Sequence, residues 1–160
     1  MKIRPTKSFF AVDLPVLRET NLGPTIRTPE ETVLQLPELA TLAQEALMVL
    51  TLSIKYKTIG KHLITLGLVD ASLVHPREVF RPAITDGASM IVLAHNHPSG
   101  DPAPSAEDIR MTRTLVAAGK IIGIPVVDHV IIGRPEYAGA RSFVSLREAG
   151  LVDFSGGSTT

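Results

Sequence analysis

Apolar residues along this chain gather into short unbroken runs, separated by segments that open on helix-capping signals, and that alternation predicts interleaved strands and helices. The first capping signal is Thr28-Pro29-Glu30-Glu31, with a Thr N-cap, Pro at the first helical position and Glu three residues after the cap. Val33, Leu34 and Leu36 follow it, and Pro37 breaks the helix ahead of a second short one over Glu38 to Gln44. Ala46 to Ile54 (ALMVLTLSI) reads as a strand, Lys55-Tyr56-Lys57 turns the chain, and Thr58 to Leu66 returns beside it as a hairpin. Leu68 to Val74 adds a further strand. Pro76 then opens a helix over Val79, Phe80, Ala83 and Ile84 that Gly87 closes.

Ser89 to Ala94 (SMIVLA) is a short buried strand that feeds the loop HNHPSGDPAPS. Ser105 ends the loop and opens a long helix, in which Ile109 with Val116 and Met111 with Leu115 keep a helical period. Gly123 follows that helix, Pro125 to Ile132 (PVVDHVII) is the next strand, and Phe143 to Gly150 closes with a strand end and a short helix. Helices interleaved with a hairpin favour an α/β sandwich on a mixed sheet over a doubly wound parallel one.

At 160 residues and 17.2 kDa the chain suits one core. Residues 1–25 read as an N-terminal arm with three prolines, 26–152 as the domain, and 153–160 as a flexible tail. Apolar residues make up 44% and charged residues 20%, near the globular average. No apolar run approaches the roughly 20 residues that span a bilayer, and no signal-peptide pattern follows Met1, so a soluble, cytoplasmic chain with no membrane partner is expected. With no cysteine, disulfides and thiolate chemistry are excluded, and any metal must sit on His and carboxylate. Lys plus Arg equals Asp plus Glu at 16 each, which lowers the weight of a nucleic-acid partner without removing it.

The chemistry concentrates in residues 95–108. His95 and His97 flank Asn96 at a strand end, and in an extended chain residues two apart project from one face about 6.6 Å apart. Asp108 follows at the start of the next helix, where the proline-rich loop can return it to the strand end. Two imidazoles and one carboxylate form a typical set for catalytic zinc, which leaves a fourth position for water. Ser105-x-x-Asp108 also reads as an ordinary capping pair, but capping does not explain the histidines.

The string His95-x-His97-x₇-Ser105-x-x-Asp108 matches the JAMM motif of the JAB/MPN metalloprotease superfamily. VHPREVFRPAI, ASMIVLAHNHPSGDPAPSAEDIRMTR, AGKIIGIPVVDHVIIG and FVSLREAGLV closely resemble its RadC-like branch, over about residues 40 to 152. The resemblance implies a single-domain JAB/MPN-like fold, a mixed sheet flanked by helices in a cytidine-deaminase-like arrangement, with one Zn²⁺ per chain. It implies a glutamate general base, for which Glu45 is the best match and Glu78 the rival, and it makes Ser105 a donor to the oxyanion. The helix-hairpin-helix region usual in RadC-like proteins has no room here, which makes a stand-alone catalytic domain the expectation.

His129 beside Asp128 reads first as a buried structural histidine oriented by a carboxylate, and second as a residue behind a metal ligand or at the substrate. His62 and His75 are given no role. Lys55, Lys57 and Lys61 read as a solvated face. The leading function is therefore a zinc metallopeptidase or isopeptidase acting on a protein or peptide. The alternatives are a DNA-repair-associated protein, disfavoured by neutral charge and 4% aromatic residues, and an interaction module stabilised by zinc. The oligomeric state stays open, a homodimer included.

Overall fold

The computed structural model describes residues 22–67, 74–134 and 141–155. In chain order these form α1 (Pro29–Gln35), a 3₁₀ turn (Pro37–Thr41), β1 (Ala46–Leu52), β2 (Thr58–Leu66), α2 (Pro76–Thr85), β3 (Met90–Asn96), α3 (Ala106–Ile122), β4 (Val126–Ile132) and β5 (Phe143–Ser145). The strands make one mixed sheet in the order β2-β1-β3-β4-β5. Among the described strands only β3 and β4 run parallel, and α3 supplies the long crossover that parallel neighbours require. The remaining adjacent pairs are antiparallel.

All seven residues of β1 and of β3 are buried, which explains their unbroken apolar runs. Leu47, Val49, Ile91 and Leu93 face a layer with Phe80 of α2 and Leu115 of α3. Met48, Leu50, Val92 and Ala94 face the opposite layer with Leu36, Leu39 and Ile26. Alternation along the strands thus assigns each side chain to a face, and burying Phe80 or Leu115 contributes about 1.5–3 kcal/mol apiece. In β4 that alternation is broken once. Ile91 pairs with Val126 but Val92 pairs with Asp128, so Val127 is an extra residue, and the bulge puts Val126 and His129 on the same face.

Both expected capping boxes form, Thr28 with Glu31 and Ser105 with Asp108. The expected helix over Glu38 to Gln44 is instead a 3₁₀ turn that stops at Thr41, where Leu42 turns extended at φ −66° and ψ 133° and the Leu42 and Gln44 carbonyls accept from Asn96. β3 runs two residues past Ala94 and takes in His95 and Asn96. Residues 146–150 form turns in place of a short helix, closed by Gly150 at φ 66°. The strand expected over Leu68 to Val74 falls almost wholly outside the described residues, as do most of the arm and tail. No helix among the described residues is long and apolar enough to cross a membrane.

Candidate metal centre

β3 sets the site by alternation. His95 points to the α3 side with Ile91 and Leu93, whereas Asn96 points to the α1 side. The chain then leaves the sheet through a loop tied to the end of β4: His97 N–H donates to the Ile132 carbonyl at 3.0 Å, and Arg134 N–H to that of Gly100 at 2.8 Å. Gly100 has φ 91°, and Gly133 packs so close that a Cβ there would lie 2.2 Å from the Gly100 oxygen. This pinned loop delivers Ser105 to the N-cap of α3, one turn from Asp108.

His95, His97 and Asp108 come together, each offering a ligand atom within 4.8 Å of the others. His95 Nε2 lies 3.0 Å from His97 Nε2 and 3.3 Å from Asp108 Oδ1, and His97 Nε2 lies 3.4 Å from Asp108 Oδ2. Ligands at tetrahedral corners with zinc bonds of about 2.0–2.1 Å sit about 3.3–3.4 Å apart, so the spacing fits such an ion. The electrostatics fit as well. His97 Nδ1 meets the Asp101 carbonyl at 2.8 Å and must donate to it, which turns a lone pair on Nε2 toward the group. Lone pairs and a carboxylate this close are stabilised by a positive charge between them, a metal ion or a proton.

Ionisation follows the same demand. Burial opposes the charged form of Asp108, but the His95 and His97 rings set against it and the hydrogen bonds from Ser105 outweigh that effect and hold its carboxyl far below the usual range. Asp108 in turn raises His97 above its ordinary value against the opposing effect of burial, with Asp101 and Glu45 adding to the rise. The helix cap does not exhaust the carboxylate. Ser105 N–H and Oγ donate to Oδ2 at 2.8 and 2.7 Å, while Oδ1 faces His95.

The charge of Glu45 acts on His97, and the backbone register leads toward it. β1 and β3 pair Leu47 with His95, Ala46 N–H meets the Asn96 side chain one residue on, and Glu45 immediately precedes the strand. Asn96, missed in the sequence, holds this approach. Its Oδ1 accepts from Ala46 N–H at 2.8 Å, and its Nδ2 donates to Gln44 O at 3.1 Å and Leu42 O at 3.4 Å. Gly67 N–H also donates to the Glu45 carbonyl, at 2.7 Å. Glu78 sits in the first turn of α2, in ion pairs with Arg77 and Arg81. His62 pairs with Asp86 at 2.6 Å near the far end of β1, where Thr51 also bonds Asp86. Lys61 bonds the Gln35 carbonyl, while Lys55 and Lys57 are exposed.

His129 departs from its leading sequence reading. Asp128 bonds Ser145 Oγ at 2.7 Å and the His129 backbone N–H at 2.7 Å, but adjacent strand residues face opposite ways and its carboxylate does not orient the ring. The imidazole instead bridges His95 Nδ1 at 2.7 Å and Thr112 Oγ1 at 2.6 Å. Complete burial, reinforced by His95, holds it well below the ordinary value for histidine. Thr112 left no signal in the sequence beyond its polar character on a buried helix face.

The family described as RadC-like JAB domain matches residues 26–151. A UPF0758 protein of Caldanaerobacter subterraneus subsp. tengcongensis is 47% identical over 131 residues, 81% of this chain and 54% of its own. A UPF0758 protein of Halalkalibacterium halodurans is 46% identical over 131 residues with the same coverage. One from Listeria monocytogenes is 48% identical over 126 residues, 78% of this chain and 54% of its own. The chain spans about half the length of these curated relatives.

Proposed function

The chain belongs to the RadC-like JAB domain family, and from that premise we propose that it is a zinc-dependent hydrolase that cleaves an amide bond in a protein or peptide. The observation that carries this reading is the tetrahedral spacing of His95 Nε2, His97 Nε2 and Asp108, with the charge of Glu45 acting on His97. These three residues would hold the ion. When bound, zinc supplies a Lewis acid and a nearby water that loses its proton close to neutral pH instead of at ~15.7.

The chain's own residues divide the remaining work. Glu45 takes the proton of the attacking water and passes it to the leaving nitrogen, as the new carbon–oxygen bond forms and the carbon–nitrogen bond breaks. Ser105 is exposed, and its hydroxyl turns from Asp108 Oδ2 to the carbonyl oxygen that gains charge. No covalent intermediate with the protein is required. The test pairs zinc content with cleavage of a fluorogenic peptide library by the wild type and Glu45→Gln. The variant is expected to keep its zinc and lose about 10²- to 10⁴-fold in rate. A zinc-loaded variant that cleaves at the wild-type rate removes Glu45 from the mechanism.

A further inference from the structure

Behind His95 runs a chain of hydrogen bonds, and we propose that it makes Thr112 and His129 positioning residues that hold His95 in its metal-binding tautomer, an inference that rests on the zinc reading above. The chain starts at the Asp108 carbonyl oxygen, which can only accept. Thr112 Oγ1 lies 2.6 Å from it, so the hydroxyl proton points there. Were that proton turned to His129 instead, two oxygens would face each other at 2.6 Å with nothing between them. Thr112 therefore accepts from His129 Nδ1, also 2.6 Å away, and Nδ1 carries that ring's proton.

The His129 ring has no exposure and bonds a hydroxyl and an imidazole, not a carboxylate that would offset a buried charge, so it holds one proton and its Nε2 is left with a lone pair. His95 Nδ1, 2.7 Å from it, must donate. The His95 proton is thereby fixed on Nδ1, and Nε2 is bare on the side that faces His97 and Asp108. Every member of the chain is buried: His95 and Asp108 are 2% and 3% exposed, and Thr112 and His129 not at all. Water cannot rescue a wrong tautomer there.

A mid-helix threonine often returns its hydroxyl to the carbonyl four residues back, and that habit explains Thr112 on its own. It does not explain an imidazole with no exposure wedged between that hydroxyl and His95. Asp108 takes part at both ends, with its carbonyl starting the chain and its carboxylate facing the nitrogen that the chain uncovers. The β4 bulge is what turns His129 to this face. Such partners of metal-bound histidines orient the ring and raise its affinity, and losing one typically costs 10- to 100-fold.

The test joins nitrogen-15 NMR of the imidazoles in the metal-free chain to Zn²⁺ titration against a chromophoric chelator, for the wild type, Thr112→Ser and Thr112→Val. The wild type is expected to carry protons on Nδ1 of both His95 and His129. Thr112→Val keeps the shape without the hydroxyl and is expected to bind zinc about 10-fold or more weakly, with Thr112→Ser within about threefold of wild type. A wild-type proton on Nε2 of either ring, or a valine variant that binds as tightly as the serine variant, overturns the inference. If Thr112→Val does not fold, the wild-type spectrum decides alone. A wild type that takes up no zinc counts against the proposed function, while its tautomers still decide the relay.

Discussion

Replacing Asn96 with Asp keeps the shape of the side chain and turns its NH₂ into an oxygen, so two donated hydrogen bonds become oxygen–oxygen contacts at 3.1 and 3.4 Å. The bond accepted from Ala46 N–H survives. When the new carboxyl is protonated its hydroxyl replaces one of the two lost donors, and the loss is about 1 kcal/mol. When it ionises, a charge sits at a position only 2% exposed against two carbonyls, and burial of this kind raises a carboxyl by roughly 2–3 units, or about 3–4 kcal/mol. The sign follows from proton counting. The folded variant holds its proton above the unfolded pKa of about 3.9, so its stability relative to wild type falls as pH rises through the raised value and levels off beyond it. Urea unfolding of both metal-free proteins from about pH 4.5 to 8 reads the difference, expected to widen from about 2 kcal/mol to about 4–5 kcal/mol. A gap that stays constant, or a variant as stable as wild type at high pH, would show that the Asn96 amide does not clamp the segment carrying Glu45.

Three further outcomes follow from the same geometry. Glu78→Gln is expected to keep cleavage within about twofold of wild type, since that side chain is half-exposed and engaged with Arg77 and Arg81, and a rate loss matching that of Glu45→Gln would reverse the assignment. Gly133→Ala forces its Cβ against the Gly100 oxygen and Pro102, which is expected to cost about 1–3 kcal/mol in chemical unfolding and to weaken zinc uptake, whereas an unchanged variant would free the loop from β4. Zinc must displace the proton that Asp108 helps His97 retain, so affinity is expected to fall with decreasing pH, starting above the ordinary histidine value of 6.5; titrations at several pH values that show no fall until well below it would contradict the pairing.

The parts of this fold that were legible in the sequence have a local cause. The Thr28 and Ser105 caps form from residues within one turn, and β1 and β3 read as apolar runs because both faces of the central sheet are covered. His95 and His97 stood out because nothing local accounts for two imidazoles at a strand end. The supporting residues were hidden for the opposite reason, since their partners are distant in the chain. Asn96 acts on residues 50–54 positions away, and Thr112 on His129 17 positions away. The Val127 bulge is a pairing event between strands, and without it alternation from Val126 would turn His129 away from His95. Proximity in sequence also misled: Asp128 adjoins His129, yet strand geometry sends the two side chains to opposite faces.

The most direct measurement is a crystal structure of the zinc-soaked protein with anomalous differences collected across the zinc edge. One peak is expected, bonded at about 2.0–2.2 Å by His95 Nε2, His97 Nε2 and an Asp108 oxygen, with Glu45 on the side open to solvent. A zinc peak bound elsewhere, or none at these three side chains at saturating metal, would contradict the account.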